Sequence, residues 1–217
     1  MFESWRRVQT VRRRETDYFR WKRVESFEQG WTRRAAFAAA MCSDSRVVCD
    51  IGCGTQTLRS FLSEDVTYLP ADLNKWSDDT MLCDVARKQL PVEYLSRADT
   101  VTMLGVLEYI HNPAWLFCEL SGYCRTLIVS YSPSDLQRRN WHSMWLGRSG
   151  EGWLNSLTVG QLVEMLFGGR FVLRQMELIG QSEILIKAVR VGTAREASSL
   201  TTVSNAAGSP KALWRTR

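Results

Sequence analysis

The chain has 217 residues, of which 45% are hydrophobic and 24% charged, a balance that suits one globular domain with short extensions and argues against global disorder. No apolar run approaches the roughly 18 residues of a membrane-spanning helix. The net charge is +5, but residues 1–36 hold ten basic against five acidic residues and residues 190–217 hold five against one. Both ends are therefore basic, which suits either solvated surface or contacts with nucleic acid, and we favour the first.

The six cysteines show no paired C-x-x-C spacing. We therefore expect reduced, mostly buried thiols and a cytoplasmic protein. The arginines near the N-terminus are not followed by an apolar stretch, so we expect no secretory signal. The sequence also shows no constellation of metal-ligating residues, and we expect no metal site.

Residues 1–41 are predicted to be helical, because aromatic and basic residues mix there without strand alternation, and Thr16 is a suitable N-cap. Three aromatic residues of this region, Tyr18, Trp21 and Trp31, have two interpretations. They either cover a ligand or form a stripe that faces the core, and the stripe is favoured.

From Arg46 onward, short apolar runs alternate with helical patterns. Strands are predicted over residues 46–51, 66–73, 80–85, 99–106, 125–132, 169–178 and 182–189, and helices over 55–63, 113–123 and 158–167. This alternation predicts an α/β domain with a mostly parallel sheet covered by helices on both faces. Only a short turn around Gly180 joins the last two strands, so they should form an antiparallel hairpin.

These patterns divide the chain into three parts. Residues 1–45 form an N-terminal helical segment, residues 46–190 form the α/β domain, and residues 191–217 form a flexible basic tail. The tail is predicted because its residues are small, polar and aperiodic.

A glycine turn follows the first predicted strand. Asp50 ends the strand, and Gly52 and Gly54 precede a helical pattern, so the backbone can approach a ligand closely there. Asp72 ends the next strand twenty positions after Gly52, where an acid can hold both hydroxyls of a ribose. The turn is compatible with a plain structural turn, a nicotinamide-cofactor site or a methyl-donor site, and the Asp72 spacing suits either ligand.

Three details favour a methyl donor. Gln56 and Thr57 occupy the possible places of a third glycine, so a pyrophosphate would lose its close approach. The carboxylate of Asp50 would repel phosphates but would suit an ammonium or sulfonium group. Asp84 follows the third strand, where it can accept a hydrogen bond from an adenine amine. A ligand with adenosine, a cationic centre and an amino-acid tail satisfies all three conditions.

The motifs DIGCGTQT, PADLNKW, LCDVARKQLP and MLGVLEYIHNP resemble those of the class I S-adenosylmethionine-dependent methyltransferases, over about residues 46–189. The resemblance implies a Rossmann-like sheet of seven strands, with order 3-2-1-4-5-7-6 and the seventh strand antiparallel. It also implies S-adenosylmethionine (SAM) as the cofactor. The residues implied to bind it are Asp50, Gly52, Cys53, Gly54 and Thr55 at the methionine part, Asp72 at the ribose, Leu73, Asp84 and Val85 at the adenine, and Leu104 and Val106 near the methyl group.

Candidate catalytic residues follow the fourth strand. His111 is the first candidate for a general base, with Glu108 as its orienting partner or as an alternative base. The histidine lies two places beyond its position in many relatives, and the competing interpretation is a structural residue at a helix start. His142 and the tryptophans Trp141, Trp145 and Trp153 either wall an acceptor pocket or pack a lid onto the sheet.

The sequence therefore predicts a SAM-dependent methyltransferase that acts on an oxygen or nitrogen atom of a small molecule. A metabolite, lipid or sugar is favoured because there is no Asn-Pro-Pro-Tyr motif and no Pro-Cys nucleophile of the kind used on nucleobases. Two alternatives stay open. One is an RNA or protein methyltransferase that uses the basic N-terminal helix, and the other is a donor-binding partner subunit without chemistry of its own.

Overall fold

The computed structural model describes residues 2–13, 15–21, 31–137 and 147–192. Seven strands form its sheet: β1 (Val47–Ile51), β2 (Thr67–Asp72), β3 (Met81–Leu82), β4 (Thr100–Leu104), β5 (Thr126–Tyr131), β6 (Phe171–Ile179) and β7 (Glu183–Arg190). The α-helices are α1 (Phe2–Arg12), α2 (Tyr18–Trp21), α3 (Trp31–Met41), α4 (Val92–Leu95), α5 (Ala114–Leu120) and α6 (Val159–Gly168). Every predicted strand is present.

The strand order is β3-β2-β1-β4-β5-β7-β6. Strands β1 to β5 pair in parallel, and β7 is antiparallel to both of its neighbours, β5 and β6. The predicted fold class, strand order and antiparallel hairpin are therefore confirmed. Because the carboxyl ends of parallel strands meet at one edge of a sheet, Asp50, Asp72 and the residues after β3 and β4 lie at that edge.

Each face of the sheet has its own apolar core. Val48 of β1 packs with Ala35 and Ala38 of α3, whereas the next residue, Cys49, packs in the cluster that includes Phe117 of α5 and Leu162 of α6. Successive side chains of a strand point to opposite faces, so the two clusters follow directly from the apolar runs of the strands. Helices on both faces confirm the layered architecture.

The helical predictions need two corrections. Residues 55–63 do not form an α-helix: a short 3-10 helix covers Thr57–Phe61. The N-terminal region is also not one continuous helix, because residues 15–17 are not helical. The hydroxyl of Thr16, predicted to be an N-cap, donates instead to the carbonyl of Tyr109, at 3.0 Å. This long-range contact ties the segment between α1 and α2 to the loop that follows β4.

Within the described ranges, no helix has the length and apolar character needed to cross a membrane.

The boundary of the α/β domain gives a first testable prediction. Residues 193–217 lie outside the described residues, and the last strand ends at Arg190 with its pairing to β5 and β6 complete. A chain that ends at Gly192 should therefore melt at the same temperature as the full chain, as measured by circular dichroism. A clearly lower melting temperature would place the tail within the cooperative fold and contradict the predicted boundary.

Candidate functional site

A glycine turn connects β1 to the 3-10 helix Thr57–Phe61. Gly52 has a φ of +76°, and a Cβ built at this position would collide with the side chain of Val106. The amides of Gly52 and Cys53 both donate to the carbonyl of Ala71, at 2.7 and 3.2 Å. Glycine is required at position 52 because both the left-handed backbone and the close approach of Val106 exclude a side chain.

Asp72 ends β2 directly beside this turn. Its Oδ2 atom accepts a hydrogen bond from the amide of Gly54 at 2.9 Å, and its Oδ1 atom accepts one from the amide of Asn74 at 3.1 Å. The side chain is buried, and burial raises the pKa of this carboxyl although the backbone hydrogen bonds oppose the change. Two fixed amide donors therefore hold the carboxylate in one orientation at the carboxyl edge of the sheet.

Asp84 lies just after β3, where the N-terminal region contacts it. The hydroxyl of Tyr18 donates to its Oδ2 atom at 2.9 Å, and the amide of Arg87 donates to its Oδ1 atom at 3.2 Å. The Arg87 guanidinium lies 5.0 Å from the centroid of the Tyr18 ring. A carboxylate can accept about four hydrogen bonds, so Asp84 keeps acceptor capacity for a ligand amine.

Asp50 is a buried carboxylate at the end of β1. Its two oxygen atoms accept hydrogen bonds from the hydroxyls of Tyr68 and Thr102, both at 2.6 Å. Burial raises the pKa of Asp50 to about 6, and the two hydroxyl donors limit this increase. The carboxyl is therefore mostly ionised at neutral pH and supplies negative charge beneath the glycine turn.

Two adjoining cavities open at this edge, and they share Trp31, Gly52 and Leu104. All eleven residues that the sequence predicted for cofactor binding line them. The first cavity is lined by Gly52, Asp72, Leu73, Asp84, Val85, Leu104 and Val106, and the second by Asp50, Gly52, Cys53, Gly54, Thr55 and Leu104. The structure therefore brings residues from four strand ends to a single cleft.

The N-terminal region covers the first cavity. Thr16, Trp21 and Trp31 belong to its lining, which favours the covering role over a purely core-facing stripe. The ring of Trp21 packs edge-on against Tyr109, with centroids 4.7 Å apart, and the carbonyl of Trp21 accepts a hydrogen bond from the side chain of Asn74 at 2.7 Å. Thr16 bonds to Tyr109 after β4 and the Trp21 carbonyl to Asn74 after β2, so residues 15–21 cross the cleft from the β4 side to the β2 side.

Solved structures of methyltransferases have a similar fold. Magnesium protoporphyrin IX methyltransferase from Synechocystis PCC 6803, solved with bound SAH, is 18% identical, and the alignment covers 80% of this chain and 94% of that chain with a TM-score of 0.56. The mitomycin 7-O-methyltransferase MmcR is 12% identical, with coverages of 88% and 68% and a TM-score of 0.62. The 1,6-didemethyltoxoflavin-N1-methyltransferase of Burkholderia thailandensis is 17% identical, with coverages of 79% and 82% and a TM-score of 0.57.

This chain has the class I methyltransferase fold. The evidence is the strand order together with these structural likenesses. No protein-family model matches the sequence, and no curated protein matches it either. At sequence identities of 12–18%, the structural likeness establishes the fold alone.

Within this methyltransferase fold, Arg34 is a buried cation that the sequence prediction missed. Its side chain lines the second cavity, and its Nη1 atom lies 2.8 Å from Oε1 of Glu183. The guanidinium also lies 5.1 Å from the ring centroid of Trp31, and a Cβ built at Gly105 would lie 2.8 Å from its Nη1 atom. Its Nε atom is buried without a hydrogen-bond partner. The sequence pattern of α3 could have revealed the burial of Arg34, because this residue falls at helical spacing from the buried residues Ala38 and Met41.

Glu108 is a further buried ionisable residue, 3% exposed, in the 3-10 turn that follows β4. Its Oε1 atom accepts a hydrogen bond from the amide of Ser132 at 3.0 Å, whereas its Oε2 atom is buried without a hydrogen-bond partner. Burial raises the pKa of Glu108 to about 7, and the negative charge of Glu183 adds to this effect while Arg34 opposes it. A carboxyl with this pKa and a free oxygen can accept a proton near neutral pH.

The other acceptor-side candidates are placed differently. His111 is exposed, and neither it nor Glu108 is among the residues that line the two cavities. Both belong to the part of the chain that the structure describes, and the carboxylate of Glu108 accepts no hydrogen bond from His111. Trp153 packs on the guanidinium of Arg148, 4.5 Å from its ring centroid, and donates from its Nε1 atom to the hydroxyl of Tyr109 at 3.1 Å. The predictions for Trp141, His142 and Trp145 fall outside the described residues.

Proposed function

We propose that this protein is a SAM-dependent methyltransferase that transfers a methyl group to an oxygen or nitrogen atom of a small molecule. The observation that carries this proposal is the single cleft lined by the glycine turn, Asp72 and Asp84. Three neighbours with this fold are named as methyltransferases, and two of them were solved with bound S-adenosylhomocysteine (SAH).

The cleft fits the three chemical parts of SAM. Asp72, held by two amide donors, is an acceptor for the ribose hydroxyls, and Asp84 is an acceptor for the adenine amine. At the other end, Arg34 lines the second cavity and supplies positive charge for the methionine carboxylate, and Asp50 supplies negative charge for the ammonium group. One donor of this guanidinium, its Nε atom, is buried without a hydrogen-bond partner.

Bound SAM supplies an electrophilic methyl group on a sulfonium. The protein has to align the acceptor and exclude water, and alignment alone can supply ~7–11 kcal/mol of the reduction in the barrier. Trp21 and Trp31 exclude water by covering the cleft. For a hydroxyl acceptor, Glu108 and His111 are the two candidate bases, and neither lines the two cavities. Glu108 is our first candidate because burial raises its pKa to about 7, and the variants Glu108→Gln and His111→Ala separate the two candidates.

The small-molecule acceptor is supported by the names of the neighbours, which act on a porphyrin, on mitomycin and on didemethyltoxoflavin. The basic helix α1, which the RNA alternative requires, contacts the rest of the chain: Arg7 donates to the carbonyl of Gly150 at 3.2 Å. At least part of its basic surface therefore has an internal partner.

Calorimetry tests the cofactor first. We expect the protein to bind SAM and S-adenosylhomocysteine and to bind NAD more weakly, since Asp50 disfavours phosphates. Transfer of a labelled methyl group from SAM is then measured against a metabolite extract and against total RNA. Labelled small molecules support the proposal, and labelled RNA supports the first alternative. Donor binding without transfer to any extract supports the partner-subunit alternative.

A further inference from the structure

Gln56 has a backbone conformation that a glutamine rarely adopts. Its φ and ψ are 60° and 34°, in the left-handed region. This conformation is unfavourable for residues other than glycine, because it brings the Cβ atom close to a carbonyl oxygen. Gln56 is also one of the two possible positions of the missing third glycine. Contacts of its side chain must therefore compensate for a backbone that glycine would adopt freely.

These contacts are all with polar side chains. The Nε2 atom of Gln56 donates to Oγ of Ser77, and it lies 3.4 Å from Oγ1 of Thr80 and 3.5 Å from Oδ1 of Asp79. Its Oε1 atom accepts a hydrogen bond from Nη1 of Arg59 at 3.1 Å. We call Gln56, Arg59, Ser77, Asp79 and Thr80 the Gln56 clamp.

The clamp has an internal structure of its own. Ser77 donates to Asp79 at 2.5 Å and lies 2.8 Å from the hydroxyl of Thr80. Arg59 pairs with Asp79 at 3.1 Å, but these two side chains are 57% and 45% exposed. Exposed ion pairs contribute little to stability. We therefore expect the Gln56 clamp to affect the positions of Gln56 and residues 77–80 more than the stability of the fold.

The clamp joins the two chain segments that carry the ribose site. Gln56 directly follows the glycine turn, whose Gly54 amide donates to Asp72. Ser77 and Thr80 belong to the segment that runs from Asp72 to β3 and then to Asp84. The side chain of Gln56 therefore links the turn to the segment after Asp72, next to the ion pair of Arg59 with Asp79.

We propose that Gln56 is a positioning residue for the cofactor. It holds the glycine turn and residues 77–80 at the spacing that the ribose of SAM requires, without contacting the cofactor itself. This inference rests on the proposed function. It predicts that the identity of residue 56 controls the affinity for the cofactor independently of the stability of the fold.

Titration calorimetry with S-adenosylhomocysteine, together with thermal melting, tests this proposal on Gln56→Ala and Gln56→Gly. Both variants lose the clamp, so both should bind about three- to tenfold more weakly than the wild type. Gln56→Gly also relieves the left-handed strain, so it should melt higher than Gln56→Ala without regaining affinity. Ser60→Ala is the control, because it removes an exposed hydrogen bond within the same 3-10 helix and should leave affinity unchanged.

The outcomes separate the two proposals. A Gln56→Gly variant with wild-type affinity would show that only backbone strain mattered and would overturn the inference. Ser77→Ala should reproduce the loss, and the double variant with Gln56→Ala should lose nothing more, whereas additive losses would overturn the clamp. A wild-type protein that fails to bind S-adenosylhomocysteine overturns the proposed function and this inference with it. Wild-type binding with unchanged variants overturns the inference alone.

Discussion

Replacement of Glu108 by Gln is expected to lower turnover with a hydroxyl acceptor by about 10²–10⁴-fold, the usual contribution of a general base. The affinity for SAM should stay close to that of the wild type, because Glu108 is not among the residues that line the two cavities. Glutamine has nearly the same shape, and its amide oxygen can still accept the hydrogen bond from Ser132. Turnover is measured with the acceptor identified by the labelling assay, and donor affinity by calorimetry.

The pH profile shows whether the lost group is the base. A general base acts in its ionised form, so the wild-type rate should rise with pH through about 7, the raised pKa of Glu108. The Glu108→Gln variant should lose this rising limb of the pH–rate profile. His111→Ala is the matched control on the same loop and should keep both the limb and a rate within about threefold of the wild type. If His111→Ala loses the limb instead, the base is the histidine.

Stability provides an independent check on the burial of Glu108. Its pKa is about 7 in the folded protein against an ordinary value of 4.5, so between these values the folded state binds more protons than the unfolded state. Its contribution to stability is therefore complete below about pH 4.5 and is lost as the pH rises to about 7. The free energy of unfolding of Glu108→Gln, measured with urea at several pH values, should lack this component.

Replacement of Asp72 by Ala is expected to weaken SAM binding by about ten- to hundredfold. The change removes a charge-assisted acceptor for the ribose hydroxyls, which is worth roughly 1.5–3 kcal/mol. It also releases the amides of Gly54 and Asn74, which the carboxylate now holds. Calorimetry with SAM and with S-adenosylhomocysteine measures the loss.

Asp65→Ala is the matched control for this experiment. Asp65 is an exposed acid that precedes the amino end of β2, at the opposite edge of the sheet from Asp72. Its replacement removes the same charge but should leave affinity unchanged. Asp72→Asn keeps the size of the side chain, so it separates loss of charge from loss of packing. Unchanged affinity in Asp72→Ala, or tighter binding of NAD than of SAM, would contradict the proposed site.

The local parts of the site were predictable. Strands leave a period-2 or continuous apolar pattern in the sequence, and the residue that follows each strand is then known to lie at the carboxyl edge. For this reason the sequence placed Asp50, Asp72 and Asp84 correctly at one edge, and the structure adds only their hydrogen-bond partners. The helices were less predictable, since tertiary contacts override propensity: residues 15–17 are not helical, and the hydroxyl of Thr16 bonds to the distant carbonyl of Tyr109.

The sequence by itself determined the seven strands, the antiparallel hairpin and the glycine turn with its acids, because each depends on neighbours a few positions away. Only the tertiary structure shows the surroundings of Arg34, Glu108 and Gln56, on which their proposed roles rest. Arg34 pairs with Glu183, which lies 149 positions further along the chain, and Glu108 bonds to the amide of Ser132 after the neighbouring strand. Gln56 adopts a glycine-like backbone next to residues that follow β2. Burial, charge pairing and backbone strain arise when distant segments meet, so local sequence patterns carry little information about them.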